Sequence, residues 1–185
     1  SVGRALRFVE IEIRDEEGKR LPPGKEGEIC MRGPKVMREY WRDPEKTAEA
    51  FFPDGFLRSG DVGFMDDEGF LYITDRQKDM IISGGENIAS SEVERVIYEH
   101  PAIKEAAVYA RSHPRWGEVA VAAVVLAEGQ TVTYKQLLDH CRVRLAGFKC
   151  PKDMVVLPQL PRNPSGKVLK RTLREMDAAG SLKGQ

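Results

Sequence analysis

Three stretches of the chain hold side chains whose type and spacing could do chemistry, and each also has a plainer use. In Gly60-Asp61-Val62-Gly63 a carboxylate is held in a Gly-Asp-x-Gly turn. There it can accept hydrogen bonds from two ribose hydroxyls, which are donors; as an Asx-type residue it can equally close a turn between strands. Arg76 offers a planar donor fork for ribose or phosphate oxygens, or else a solvated surface ion pair. In Ser83-Gly84-Gly85-Glu86-Asn87 the paired glycines suit a hairpin turn, and Asn87 suits a turn or cap. In Pro164-Ser165-Gly166-Lys167 small residues let the backbone approach a ligand while a long cation reaches further in. The plainer reading is an exposed lysine at a helix start. It is not a Walker A loop, because the upstream glycine is missing and Val168 follows the lysine.

The elements that must position these residues fall into two regions. Alternation at Val9–Ile13 predicts a strand with one wet face, and a second strand follows around Glu28–Arg32. Asp43 reads as an N-cap with Pro44 in the first helical position, opening a short helix through Phe51. Two more strands, near Phe64 and at Phe70–Thr74, are joined by Asp66-Asp67-Glu68-Gly69. Residues 1–75 are thus β-rich, like the edge of a barrel or sandwich. After Asp75 the pattern changes. Met80-Ile81-Ile82 predicts a short strand, and Ser91 with Glu94 a capping box opening a helix with Val93, Val96, Ile97 and His100 on one face. Strands follow at Ile103–Arg111 and Val119–Leu126, the second apolar enough for burial on both faces. Thr133 and Gln136 form another capping box, with Leu137, Leu138, Cys141 and Leu145 as the core stripe and Gly147 as a left-handed cap. A strand at Met154–Leu157 precedes a basic terminal helix. The order helix–strand–strand–helix–strand predicts an α+β fold, a sheet covered on one side. The joint between the regions is charged rather than Gly/Ser-rich, which suits a short hinge at 76–79.

Composition narrows the classes. Hydrophobic residues make up 41% and charged residues 31%, ordinary for a globular protein, and 29 basic residues balance 29 acidic ones. Neither a nucleic-acid footprint nor a polybasic membrane anchor follows from such a balance. No apolar run approaches the roughly 20 residues that span a bilayer. Cys30, Cys141 and Cys150 are odd in number and far apart, and His100, His113 and His140 show no ligand spacing. That argues against disulfides and a metal site and fits a reducing cytoplasm. The chain opens at Ser1 rather than Met, directly into strand-like sequence, and reads as a fragment.

The run from Asp75 to Ile88, DRQKDMIISGGENI, closely resembles the hinge-and-loop motif of the adenylate-forming superfamily, in the version common among fatty-acyl-CoA synthetases. Gly60–Gly63 resembles that family's ribose-binding motif, and Pro164–Lys167 its catalytic-lysine loop. Further similarity lies at Gly27-Glu28-Ile29, Gly33-Pro34, Tyr40-Trp41 and Trp116-Gly117-Glu118, in family order along essentially the whole chain. The resemblance implies the C-terminal part of an acyl-CoA synthetase: 1–75 ending the large adenylation domain, 76–79 a hinge about Lys78, and 80–185 a mobile lid. It implies that Asp61 and Arg76 bind nucleotide and that Lys167 bridges the substrate carboxylate and the α-phosphate of ATP. Gly84 and Gly85 would line the CoA tunnel, and Asn87 would lie near the adenylate. At Ile82 some aryl-CoA relatives carry a lysine that this chain lacks. The triphosphate loop, the magnesium ligand and the acyl pocket belong to the family's large N-terminal domain, the expected partner in the same chain. The implied parent activates a carboxylic, expectedly fatty, acid with ATP and Mg²⁺ and passes it to CoA; the fragment alone would not turn over. Other classes compatible with the residues are a free-standing nucleotide- or CoA-binding module, a scaffolding α+β domain, and an adenylation domain that loads a carrier protein.

Overall fold

The structure, a computed structural model, describes residues 1–182 of the 185-residue chain. The chain divides into two compact units, Ser1–Lys78 and Asp79–Gln185.

The first unit is a four-stranded antiparallel meander of β1 (Glu10–Arg14), β2 (Gly27–Arg32), β3 (Leu57–Met65) and β4 (Leu71–Arg76), paired in that order. Its turns are closed as the acidic residues suggest: Asp15 Oδ1 accepts from the Lys19 amide and Asp66 Oδ1 from the Phe70 amide, each at 2.8 Å. Helix α1 (Pro44–Ala50) starts where expected, with Asp43 accepting from the Lys46 amide at 3.0 Å. Ile13, Ile29 and Leu71 form a small core. One expectation fails here. Gly60–Gly63 is not a turn; it lies inside β3, which runs nine residues.

The second unit holds β5 (Ile81–Ser83), β6 (Glu86–Ile88), α2 (Ser90–Tyr98), β7 (Ile103–His113), β8 (Gly117–Leu126), α3 (Tyr134–Arg142), β9 (Asp153–Val156) and α4 (Lys170–Ala178). The long hairpin β7–β8 is its backbone, and β9 runs parallel to β8 along its second half. As the apolar run predicts, β8 is buried on both faces. Ala120, Ala122 and Val124 pack with Val93, Ile97, Leu137 and Cys141 of α2 and α3, while Val121, Ala123 and Val125 pack with Leu160 and Leu173. Each valine, leucine or isoleucine among these taken fully from water stabilises by roughly 1.5–3 kcal/mol. The sheet is therefore covered on both sides, not one, because Leu173 gives the basic helix α4 an apolar face.

Caps follow the sequence unevenly. Thr133 and Gln136 form the expected reciprocal capping box. Helix α2 begins at Ser90, so Ala89 takes the cap position and the Ser91–Glu94 box does not form. Glu94 instead accepts from the Val108 amide at 2.8 Å. Helix α3 ends at Arg142 with Val143 as its cap, four residues before the Gly147 that the sequence offered.

Candidate functional site

Asp61 owes its exposure to an irregular strand. On one side Glu28 faces Val62 and Cys30 faces Arg58, so Ser59, Gly60 and Asp61 lie opposite Ile29 alone. Gly60 takes φ 71°, a left-handed value that a glycine supplies at no steric cost. On the other side Asp61 faces Arg76 of β4, and the register breaks again between Val62 and Gly63. Bulges of this kind turn a side chain out of the regular alternation. The result is a carboxylate and a guanidinium side by side: Arg76 Nε is 3.3 Å from Asp61 Oδ1, with the side chains 48% and 31% exposed. An acceptor pair and a donor fork thus face solvent together, able to take two hydroxyls and an anionic oxygen.

Gly84 and Gly85 form the tip of the β5–β6 hairpin, between the paired residues Ser83 and Glu86. Their φ values, 62° and 87°, are both positive, as a two-residue type I′ turn requires. Gly84 is further constrained by Trp116. Its amide donates to the Trp116 carbonyl at 2.9 Å, and a Cβ there would stand 2.9 Å from Trp116 Cε3. Glu118 accepts from the Ile82 amide at 3.0 Å, so Trp116-Gly117-Glu118 acts as the brace of this hairpin. Asn87 is exposed on β6 opposite Ile82.

Lys167 closes a tight loop between β9 and α4. Asn163 organises it: its Oδ1 accepts from the Lys167 amide at 2.8 Å and from Ser165 Oγ at 2.8 Å, and its own amide donates to the Lys167 carbonyl at 2.9 Å. The Lys167 side chain is exposed, with no ion pair among the described residues. Two cations the sequence did not single out fix the loop at its ends. Arg162 donates to the Gly166 carbonyl at 2.6 Å and pairs with Glu105 of β7. Lys170 reaches Glu94 and Ser90 of α2, both at 2.7 Å. In sequence both are only members of a basic tail; their partners lie 57 and 80 residues away.

The joint is tighter than its composition suggests. Asp75 and Arg76 are the last residues of β4, so within 76–79 only Gln77–Asp79 leave the sheet, as one turn of 3-10 helix containing Lys78. Asp79 is held by Arg174 of α4 at 2.7 Å. The structure therefore brings Asp61 and Arg76 together on one sheet and Gly84, Gly85 and Asn87 together on one hairpin. Lys167 stands on its own loop. No group of three or more His, Cys, Asp or Glu residues is placed to hold a metal ion among the described residues. Burial pushes the Cys30 thiol up to about 12 and Cys141 up to about 11, so neither is a ready nucleophile.

Comparison with known proteins gives a consistent picture. Residues 92–167 match the family described as AMP-binding enzyme C-terminal domain, and residues 1–41 match AMP-binding enzyme. The chain is 45% identical over 179 residues to the long-chain-fatty-acid–CoA ligase FadD13 of Mycobacterium tuberculosis, covering 97% of this chain and 35% of the relative. It is 45% identical over 174 residues to a feruloyl-CoA synthase of Amycolatopsis sp, covering 94% of this chain and 35% of that protein. ATP-bound MatB from Rhodopseudomonas palustris superposes with TM-score 0.89 at 42% identity, over 95% of this chain and 35% of that one. Apo MatB gives TM-score 0.66 at 42% identity, over 94% and 35%. The chain thus spans about a third of the length of the relatives it matches.

Proposed function

We propose, since the chain belongs to the adenylate-forming AMP-binding enzymes as their C-terminal portion, that it serves an ATP-dependent acid–CoA ligase. The observation that carries this reading is the Asp61–Arg76 pair, an acceptor and a donor fork on adjacent strands. Asp61 takes the ribose hydroxyls and Arg76 a ribose or phosphate oxygen. Lys167, on its braced loop, supplies positive charge where the attacking carboxylate and the α-phosphate crowd together, the place where a preorganised donor lowers the barrier most. The reaction forms acyl-AMP and pyrophosphate, and the CoA thiol then displaces AMP; splitting it so replaces a poor leaving group with a good one.

In this reading residues 1–75 close the large domain and 80–185 form a lid that turns about Lys78 between the two steps. Lys167 serves the first, and the bare backbone of Gly84–Gly85 admits the pantetheine arm in the second, with Asn87 near the adenylate. Support comes from the short charged segment Gln77–Asp79, a single turn where the two compact units meet in sequence, which can absorb a backbone change without breaking a core. The relatives' names cover a fatty acid, ferulate and 2-succinylbenzoate, and among these we favour a fatty acid. The magnesium that accompanies ATP is assigned, by the family resemblance, to the large N-terminal domain. No helix of the described residues is long and apolar enough to cross a membrane, and the three buried free cysteines suit the cytoplasm.

The test is Lys167→Ala in the full-length protein, with the two half-reactions measured apart. Acid-dependent pyrophosphate release should fall about 10²–10³-fold, while thioester formation from preformed acyl-AMP stays near the parental rate. Equal loss in both steps would remove Lys167 from the first.

A further inference from the structure

Glu28 is a buried acid on a strand whose neighbours Ile29 and Cys30 are core residues; its side chain is 6% exposed. A carboxylate withdrawn from water is costly unless it is paired and hydrogen-bonded. Both of its oxygens are committed. Oε2 accepts from Arg58 Nε at 3.0 Å, and Oε1 accepts from the Gly60 amide at 3.2 Å.

The second contact falls where the ladder gives out. Because Ser59, Gly60 and Asp61 face Ile29 alone, the backbone of β2 cannot serve each amide of that segment. Side chains serve two of them instead: Glu28 takes the Gly60 amide, and Ser59 Oγ takes the Asp61 amide at 3.1 Å. Arg58, its guanidinium 4.9 Å from the Phe52 ring centre, holds the other oxygen of Glu28 and keeps the carboxylate from swinging away. We propose that Glu28 is the positioning residue of the nucleotide site: its carboxylate replaces the missing strand acceptor and fixes the bulge that presents Asp61 to a ribose. An apolar residue at 28 would pack as well against the core but would leave the Gly60 amide without its acceptor, and the bulge free to relax. The proposal rests on Asp61 being the ribose acceptor.

The experiment compares ATP with 2′,3′-dideoxy-ATP, by calorimetry on the full-length protein and on its Glu28→Gln variant. Glutamine keeps one acceptor oxygen but turns an amide N–H₂ toward one of the two donors. ATP should bind about tenfold more weakly to the variant, the size of one misaligned charge-assisted hydrogen bond. The dideoxy nucleotide should bind parent and variant alike, because it has no hydroxyl to lose. Arg58→Met, at a side chain 35% exposed, is the second variant should Glu28→Gln fail to fold, and it should show the same ribose-selective loss. Equal weakening of both nucleotides, or no weakening, overturns the positioning role. A parent protein that binds both nucleotides equally overturns the ribose reading of Asp61 itself.

Discussion

Arg76 faces Asp61 across β4 and β3, its Nε 3.3 Å from the carboxylate, on a part of the sheet where the register breaks on both sides of the aspartate. Both side chains are substantially solvated, so the pair adds only about 0–1 kcal/mol to stability. In the proposed reading its value is readiness for a ligand. Asp61→Ala should leave the melting temperature nearly unchanged while weakening ATP binding to the full-length protein by about 1.5–3 kcal/mol, the worth of a charged hydrogen bond. Calorimetry decides it, and unchanged affinity would make Asp61 an ordinary strand residue.

Gly84 and Gly85 look interchangeable in sequence but not in structure. Gly84→Ala must put a Cβ 2.9 Å from Trp116 Cε3, whereas a Cβ at Gly85 meets open space. Both carry the left-handed strain of roughly 1–2 kcal/mol for a non-glycine residue. Gly84→Ala should therefore destabilise more, and it alone should alter tryptophan fluorescence, because Trp116 must move. Equal effects from the two variants would show that the ring yields freely.

Thr133→Ala removes one half of the capping box that starts α3 and should cost about 1 kcal/mol in urea unfolding, within a range of roughly 0.5–2. Ser91, read from sequence as the equivalent cap of α2, lies inside that helix, whose cap position Ala89 holds.

Lys78 sits in the middle of a single 3-10 turn. The φ of such a turn, roughly −50 to −70°, is close to the −65° that proline imposes. Lys78→Pro fixes φ in that range and should oppose rotation out of the turn. In the full-length protein, with folding confirmed by circular dichroism, adenylate formation should persist and thioester formation from acyl-AMP should fail. A folded variant that makes acyl-CoA at the parental rate would move the hinge elsewhere.

What could be read from the sequence was what depends on neighbours. The apolar run of β8, the Thr133–Gln136 box and the Asp43-Pro44 start are local signals, and each appears in the fold where expected. The misreadings share a cause. Gly60 and Gly63 look like strand breakers until β2 and β4 are seen pairing on either side of a bulge. The sheet of the second unit seemed covered on one face because α4 is largely charged, and Leu173 alone does not announce a core. Chemistry followed the same division. The candidate residues Asp61, Arg76 and Lys167 stand in motifs, and Glu28 in a family-like Gly-Glu-Ile segment, but the contacts of Glu28, Arg162 and Lys170 reach across 32, 57 and 80 residues, and no local pattern announces them.

The covering of the second sheet face also sets an order of events at birth. Ala107, Tyr109, Val121 and Ala123 are synthesised well before Leu160, Leu173 and Leu182, the residues that bury them. The opposite face meets α2 and α3 much sooner. A ribosome paused before Lys170 would thus hold a sheet finished on one side and bare on the other, a surface of the kind that chaperones bind and aggregates grow from. The clasp of Arg111 on Asp153 and Asp177, both at 2.6 Å, can close only when α4 has emerged, and it ties α4 and β9 to the earlier strand β7.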